Sequence, residues 1–266
     1  MRLSRKYTRD LYRNFKYLAT WKPGVPLQLG DIGVLKGKQF TRLGNIKSDF
    51  GIDFTVRKDT TPDNLKYVSK SGVSFTAKAA NMKIPVGSTL EASDIGFNIS
   101  FSKEKAIFFE AEGTYYHSIE SQFALGKEIL KLYKENKWDK DLVVITELAV
   151  ADSSTILMSL AKKGSVDIKV NNTEGIENKA LSITNPELEL GISYNTNVSA
   201  EIIAKEGLTP LFKVSKVKKP FLGKPIFETA RANVMLPTGT EAFKMIDDDL
   251  LEFSEATFDD DGDLEV

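Results

Sequence analysis

The sequence contains one histidine, His117, and no cysteine. A Ser-His-Asp triad would have to use that histidine, and no G-x-S-x-G nucleophile motif accompanies it. The lack of cysteine excludes a thiolate nucleophile and a thiolate zinc site, and other zinc sites need several histidines. His117 stands directly before a predicted helix, a position typical of an exposed or capping residue. We therefore predict that the protein is not an enzyme and has no metal or organic cofactor.

Carboxylates are the other side chains that could carry chemistry, and they concentrate at the C-terminus. Ten acidic and no basic residues lie from 247 to 266. The run DDDGD at 259–263 resembles a calcium loop, but its glycine comes too early and no glutamate stands at position twelve. Because the whole chain carries a charge of −1, residues 1–246 carry +9. The tail is therefore either a solvated, disordered segment or a segment that covers a basic surface.

Length and composition fit one large globular domain or two small ones. The 266 residues suffice to bury a core, and 41% of them are hydrophobic. No apolar run reaches about 18 residues, so no transmembrane helix is expected. The N-terminus lacks the apolar region of a secretory signal, which favours a cytoplasmic location. We predict a single domain over residues 1–246 and an acidic tail over 247–266.

A central stretch, residues 94–159, organises the predicted fold. Its alternating and continuous apolar patterns predict strand, strand, helix, strand and strand. Because strands outnumber helices without regular alternation, the class is α+β, with a twisted, mainly antiparallel sheet. The five predicted elements are Ile95–Phe101, Ala106–Ala111, a helix over about Ile119–Tyr133, Leu142–Leu148 and Ile156–Met158.

The pattern of residues 2–20 predicts an amphipathic helix at the N-terminus. Its apolar stripe has the spacing of one helix face. Such a helix can lie on an anionic membrane surface, but packing of the stripe on the core is more common. The stripe consists of Leu3, Tyr7, Leu11, Phe15 and Leu18, and the basic residues around it are Arg2, Arg5, Lys6, Arg9, Arg13 and Lys16.

Several predicted strands place apolar side chains on one face and Ser, Thr or Lys on the other. Val73–Ala80, Ile95–Phe101 and Val166–Val170 show this alternation. It suits the wall of a membrane β-barrel, but it describes any half-buried soluble sheet as well. The lysines are scattered, and no RNP or helix-turn-helix signature is present, so no nucleic-acid partner is expected.

The order of three motifs resembles the gasdermin family, especially its short bacterial members. The first is SKEKAIFFE at 102–110, a lysine-rich turn into an aromatic strand that ends in an acid. The second is DLVVITEL at 141–148, which follows the predicted helix, and the third is GLTPLFKV at 207–214. Each motif is weak alone, and their order and spacing carry the resemblance, which covers about half of the chain, from Val73 to Val217.

The resemblance implies an autoinhibited pore-forming effector of antiphage defence. A caspase-like protease would remove the C-terminal segment, and the freed cytoplasmic protein would oligomerise on the anionic inner membrane. Regions near 72–111 and 142–204 would then enter the bilayer as hairpins of a β-barrel, because a closed barrel satisfies every strand edge in lipid. The membrane-inserting candidates are Val73, Phe75, Ala77, Ile95, Phe97, Ile99, Phe101, Val143, Ile145, Ile156, Val166 and Ile168.

The acidic tail would be the inhibitor, and its candidate contact residues are Leu250, Leu251, Phe253 and Phe258. The candidates for binding to the membrane surface are the basic residues of the N-terminal helix, Arg2, Arg5, Lys6, Arg9, Arg13 and Lys16. A cut between Ala232 and Leu250 would remove it. The chain departs from the family in lacking an N-terminal cysteine for lipidation and in carrying a basic N-terminal helix. The alternative is a non-enzymatic binding or assembly protein built on a mainly antiparallel sheet.

Overall fold

The computed structural model describes residues 3–21, 24–36, 39–78, 96–171, 183–184, 190–194, 198–218 and 252–255. Over these residues the fold is α+β, with mostly antiparallel sheets, a helix near the N-terminus and a central helix, which confirms the predicted class. The helices are α1 (Leu3–Phe15), α2 (Ile46–Phe50) and α3 (Gln122–Lys134).

Thirteen strands are present in the described part of the chain. They are β1 (Leu18–Ala19), β2 (Asp31–Lys36), β3 (Gln39–Asn45), β4 (Val56–Lys58), β5 (Asp63–Val68), β6 (Val73–Lys78), β7 (Gly96–Phe101), β8 (Ile107–Ile119), β9 (Leu142–Ser159), β10 (Gly164–Val170), β11 (Leu190–Tyr194), β12 (Val198–Lys218) and β13 (Glu252–Glu255).

Two sheets contain these strands. The larger has the order β1-β12-β9-β2-β3, with β13 paired to β12, and with β8 paired to β4, β5 and β9. The smaller is a four-stranded sheet with the order β11-β10-β7-β6, and its neighbours are antiparallel throughout. The small sheet therefore consists of strands from two distant parts of the sequence, 73–101 and 164–194.

Chain packing divides the protein into two compact units, each assembled from three segments. The first unit comprises Met1–Leu27, Lys58–Tyr116 and Ala149–Leu211, and the second comprises Gln28–Arg57, His117–Leu148 and Phe212–Val266. The strands β4, β8, β9 and β12 contribute residues to both units. The prediction of one domain over residues 1–246 stays a prediction.

Helix α1 is shorter than the predicted helix over residues 2–20. Lys16 has a φ of 61°, a left-handed conformation that ends the helix, and its N–H donates to the Tyr12 carbonyl at 2.8 Å. Leu18 consequently lies in β1 rather than on the helical stripe. The rest of the stripe packs as expected of a core-facing helix, with Tyr7 and Leu11 fully buried.

Helix α3 begins three residues later than predicted, after a serine N-cap. The Ser121 hydroxyl accepts the Ala124 N–H at 3.2 Å, and the helix starts at Gln122. His117 therefore lies within β8 and not at a helix start, which corrects the interpretation from sequence. On its buried face α3 presents Leu125 and Ile129 to an apolar cluster of the second unit.

Strand β9 is continuous where the sequence predicts two strands. The residues between the two predicted strands, 149–155, lie inside the strand. The hydroxyls of Ser153 and Thr155 donate to the carbonyls of Thr184 and Ile183, so these buried polar groups are satisfied by another segment. In β12, likewise, the Gly-Leu-Thr-Pro run at 207–210 lies inside the strand, where Gly207 has a φ of 65°.

Candidate functional site

The small sheet has one apolar face, set by the register of its strands. Val166 lies opposite Ile99, and Ile168 lies opposite Phe97. All four side chains are at most 3% exposed. On the other side of β7, Phe75 pairs with Ile99 and Val73 pairs with Phe101. Since side chains alternate along a strand, this register collects the apolar residues of three strands on one face.

The opposite face of the small sheet is polar and carries its own cross-strand bonds. The hydroxyls of Ser74 and Ser100 are 2.5 Å apart, and the Asn98 amide donates to the Asp167 carboxylate at 2.5 Å. Lys169, next but one along β10, is exposed on the same face. The sheet is therefore two-faced, which is the pattern the sequence predicts for these strands.

The apolar face packs against residues of the larger sheet to form what we call the hairpin cluster. Its members from outside the small sheet are Ala106 and Phe108, Leu157, and Ile183. Phe108 and Leu157 are fully buried, and they come from the long strands β8 and β9. At about 25 cal/mol per Å² of apolar surface, this burial is the main force that holds the small sheet in place.

An aromatic stack with a lysine beside it lies at one margin of this cluster. The Phe75 ring stacks on Phe97 at 5.9 Å and on Phe108 at 5.5 Å between centroids. Lys66 Nζ lies 5.1 Å from the Phe75 ring centroid and 5.6 Å from that of Phe108. The same ammonium donates to Glu110 Oε1 at 2.8 Å. The group connects β6 of the small sheet to β5 and β8.

We expect Lys66→Met to lower the free energy of unfolding by about 1 kcal/mol. The change keeps the aliphatic stem but removes a cation–π contact and an ion pair, each weakened because the lysine is half exposed. Urea unfolding followed by circular dichroism measures the loss. Lys169→Met, on the exposed polar face, is the matched control and should change stability by less than about 0.5 kcal/mol. Equal losses in the two variants would contradict a specific role for Lys66.

The C-terminal tail contributes a strand to the larger sheet. In β13, Phe253 lies opposite Val217 and Glu255 lies opposite Ser215. The β13 backbone also contacts α3. Of the inhibitory-tail candidates, Phe253 is therefore placed in a docked strand, whereas Leu250, Leu251 and Phe258 lie outside the described residues.

The structure brings most of the membrane-inserting candidates together. Val73, Phe75, Phe97, Ile99, Phe101, Val166 and Ile168 belong to the small sheet and the hairpin cluster around it, and Ala77 lies opposite Phe97 in the register. Val143, Ile145 and Ile156 are instead buried in β9 of the larger sheet. Ile95 lies outside the described residues.

The basic candidates of α1 surround its buried stripe. Arg5, Arg13 and Lys16 are exposed, whereas Lys6 and Arg9 are partly buried and form ion pairs with Asp10. Arg2 lies outside the described residues. The stripe itself contributes to what we call the α1 cluster, which contains Tyr7, Leu11, Phe109, Ile156 and Met158. Packing on the core, the more common alternative for such a helix, is thus its state in this structure.

A buried carboxylate that sequence reasoning did not single out organises the second unit. Asp31 is 1% exposed and accepts hydrogen bonds from Arg42 Nε at 2.8 Å, Asn45 Nδ2 at 3.1 Å and the Gln28 N–H at 2.9 Å. The Asp31 hydrogen bond raises the pKa of Arg42. The preceding Gly30 has a φ of 80°, a conformation that suits glycine. Asp31 is the first residue of β2 and directly follows this glycine.

The local sequence does not mark Lys66 or Asp31 as important residues. The partners of Lys66 are distant in sequence, and the partners of Asp31 are common residue types.

Comparison with known proteins adds no assignment, since the chain matches no family model and no curated protein sequence. No helix among the described residues is long and apolar enough to cross a membrane. Within the same residues, no group of three His, Cys, Asp or Glu side chains could hold a metal ion.

Proposed function

We propose that the protein is a pore-forming effector that its C-terminal segment holds inactive, as the gasdermin resemblance implies. Proteolysis between residues 232 and 250 by a caspase-like protease would release the segment. The body would then assemble on the anionic inner membrane and insert strands to form a pore. The pore would kill the cell as a defence against phage. The observation that carries the proposal is the small sheet, whose two faces separate apolar from polar side chains in register across its strands.

The small sheet has the side-chain arrangement that a membrane-inserted sheet requires. Its apolar face, with Phe97, Ile99 and Ile168, could exchange the hairpin cluster for lipid chains without exposing those side chains to water. Its polar face, with Asn98 and Asp167, would line an aqueous lumen. The strands have five to seven residues, and a strand that crosses a bilayer needs about 9–11, so insertion would require longer hairpins.

The edges of the small sheet support assembly of several copies. Among the described strands, β6 and β11 each pair on one side only. In lipid an unpaired strand edge costs several kcal/mol for each unsatisfied backbone group. Edge pairing between neighbouring copies would remove that cost, so self-oligomerisation accompanies insertion in the proposed mechanism.

The docked tail supports the proposed inhibition. Strand β13 covers an edge of β12 where Lys216 and Lys218 lie, and the tail from 247 to 266 carries ten acidic residues. Its loss would leave the body with a charge of +9. Each basic residue near an anionic bilayer contributes about 1 kcal/mol of binding free energy. Removal of the tail would therefore change both the exposed edge and the attraction to the membrane.

Dye release from vesicles with phosphatidylserine tests the proposal on the full chain. A recognition sequence for a specific protease is inserted after Gly239, and the protein is cut in the presence of the vesicles. We expect no release before cutting and release afterwards, with weaker release as salt is raised or as anionic lipid is omitted.

The matched control carries the same insertion with an uncleavable scissile residue, which separates cutting from the insertion itself. If the cut chain stays folded and soluble but releases no dye, the pore-forming function is wrong. That result would favour the alternative, a binding or assembly protein in which the two-faced sheet is an ordinary part of the core.

A further inference from the structure

Three buried hydroxyl groups of the first unit lack a hydrogen-bond partner among the described residues. They are Tyr7 Oη, Thr114 Oγ1 and Ser154 Oγ. All three residues are 0% exposed. Most buried polar groups in folded proteins are paired, so each of these three hydroxyls calls for a physical explanation.

Tyr7 lies in the α1 cluster, and side-chain alternation places Thr114 and Ser154 on strand faces that contribute to the same cluster. Tyr7 is on α1 and lies in the α1 cluster. Along β9, Ser154 shares a strand face with Ile156 and Met158, which are members of that cluster. Along β8, Thr114 lies on the same strand face as Tyr116, and Tyr116 packs against the α1 cluster. The unpaired groups therefore border the cluster through which α1 packs on the sheet.

Each of these hydroxyls makes the docked position of α1 less stable. A buried polar group without a partner costs about 1–3 kcal/mol relative to its hydrated state. The cost is relieved when the helix lifts and water reaches the groups. Burial also raises the pKa of Tyr7, as expected for a hydroxyl removed from water.

One polar contact between α1 and the larger sheet is long for a hydrogen bond. The Tyr67 hydroxyl of β5 donates to Asp10 Oδ2 on α1 at 3.4 Å, which is long for an O–H donor. Aromatic contacts hold the helix more effectively, with Phe15 and Phe109 at 5.6 Å between ring centroids and Tyr7 and Trp21 at 6.0 Å. A lipid surface can replace apolar contacts of this kind.

We propose that α1 is a detachable helix, whose docking on the sheet is weakened by the buried hydroxyls of Tyr7, Thr114 and Ser154 so that it opens before the rest of the first unit. Opening exposes the apolar stripe together with the arginines at its borders. This role in membrane attachment rests on the proposed function, but the opening itself is a property of the free protein.

Amide hydrogen exchange of the intact chain tests the opening. Tyr7→Phe removes one unpaired hydroxyl and keeps the ring, so we expect exchange in residues 3–15 to slow by about tenfold. Ser154→Ala should slow hydrogen exchange of the same amides. That result would show that the effect comes from the interface and not from the helix sequence. Tyr133→Phe, on the partly buried side of α3, is the matched control and should leave α1 unchanged.

Unchanged or faster exchange of α1 in both Tyr7→Phe and Ser154→Ala would overturn the proposal, because the hydroxyls would then be satisfied, for example by internal water. The same variants are then compared in the cleavage assay. Slower dye release by Tyr7→Phe supports a membrane role for the open helix. Slowed exchange with no release from any cut protein would retain the detachable helix and reject the pore.

Discussion

A chain with Val217→Cys and Phe253→Cys and a protease site after Gly239 should remain inactive when cut, and should release dye once its disulfide is reduced. Val217 and Phe253 are register partners in β12 and β13. Directly opposed residues of antiparallel strands have Cα atoms about 4.5–5.5 Å apart, within the range of a disulfide. The native chain has no cysteine, so no other disulfide can form.

The expected change is large because the disulfide keeps the severed strand beside its edge. A tethered segment has an effective concentration near millimolar, and tethering commonly strengthens binding by at least about 100-fold. Reduction should therefore raise the rate of release by about that factor. Vesicle leakage with and without dithiothreitol measures it, after gel electrophoresis has confirmed complete cutting.

A single-cysteine control and one contradicting outcome define what the disulfide shows. Val217→Cys alone, with the same cut, should release dye whether or not reductant is present. If the locked and cut chain releases dye before reduction, β13 is not the inhibitory element, and any inhibition must come from other residues of the tail.

Asp31→Ala should lower the free energy of unfolding by about 3 kcal/mol. Asp31 is buried and accepts hydrogen bonds from the Arg42 guanidinium, the Asn45 amide and the Gln28 backbone. Hydrogen bonds to a charged group contribute about 1.5–3 kcal/mol each, and the variant leaves donors unpaired near β2. Arg42 is half exposed and can turn to water, so the loss is smaller than for a fully buried ion pair.

Urea unfolding with an unchanged m-value measures this loss. Asp53→Ala is the matched control, because that carboxylate is 90% exposed in its ion pair with Lys47 and should contribute less than about 1 kcal/mol. An equal loss of unfolding free energy for the two aspartate variants would show that burial and the three hydrogen-bond donors do not determine how much Asp31 stabilises the fold.

Local pattern was enough to predict the class of the fold and the two-faced strands. The alternation in Val73–Ala80 and Val166–Val170 reports side-chain direction, which depends only on neighbouring residues. Continuity of β9 could not be predicted, because Ser153 and Thr155 look like a break until residues 183–184 accept their hydrogen bonds.

Contacts between distant residues explain what the sequence pattern missed at the candidate site. The position of Lys66 beside Phe75 and Phe108 depends on how three strands meet, and none of the three residues is unusual in its local sequence. The pairing of β13 with β12 depends on backbone atoms rather than on side-chain type. The acidic charge of the tail was evident from sequence, whereas its docking edge was not.

The long sequence separations within the sheets bear on how the protein is made. The Thr20 hydroxyl donates to the Thr209 carbonyl, 189 residues later. The N-terminal segment therefore cannot form this contact until most of the chain has been synthesised. Folds with such distant pairings close slowly, in roughly milliseconds to seconds. At about 5–20 residues per second, β13 follows β12 from the ribosome within roughly 2 to 7 seconds. The strand that covers β12 therefore follows within seconds, which limits the time for which that edge of a newly made chain is unpaired.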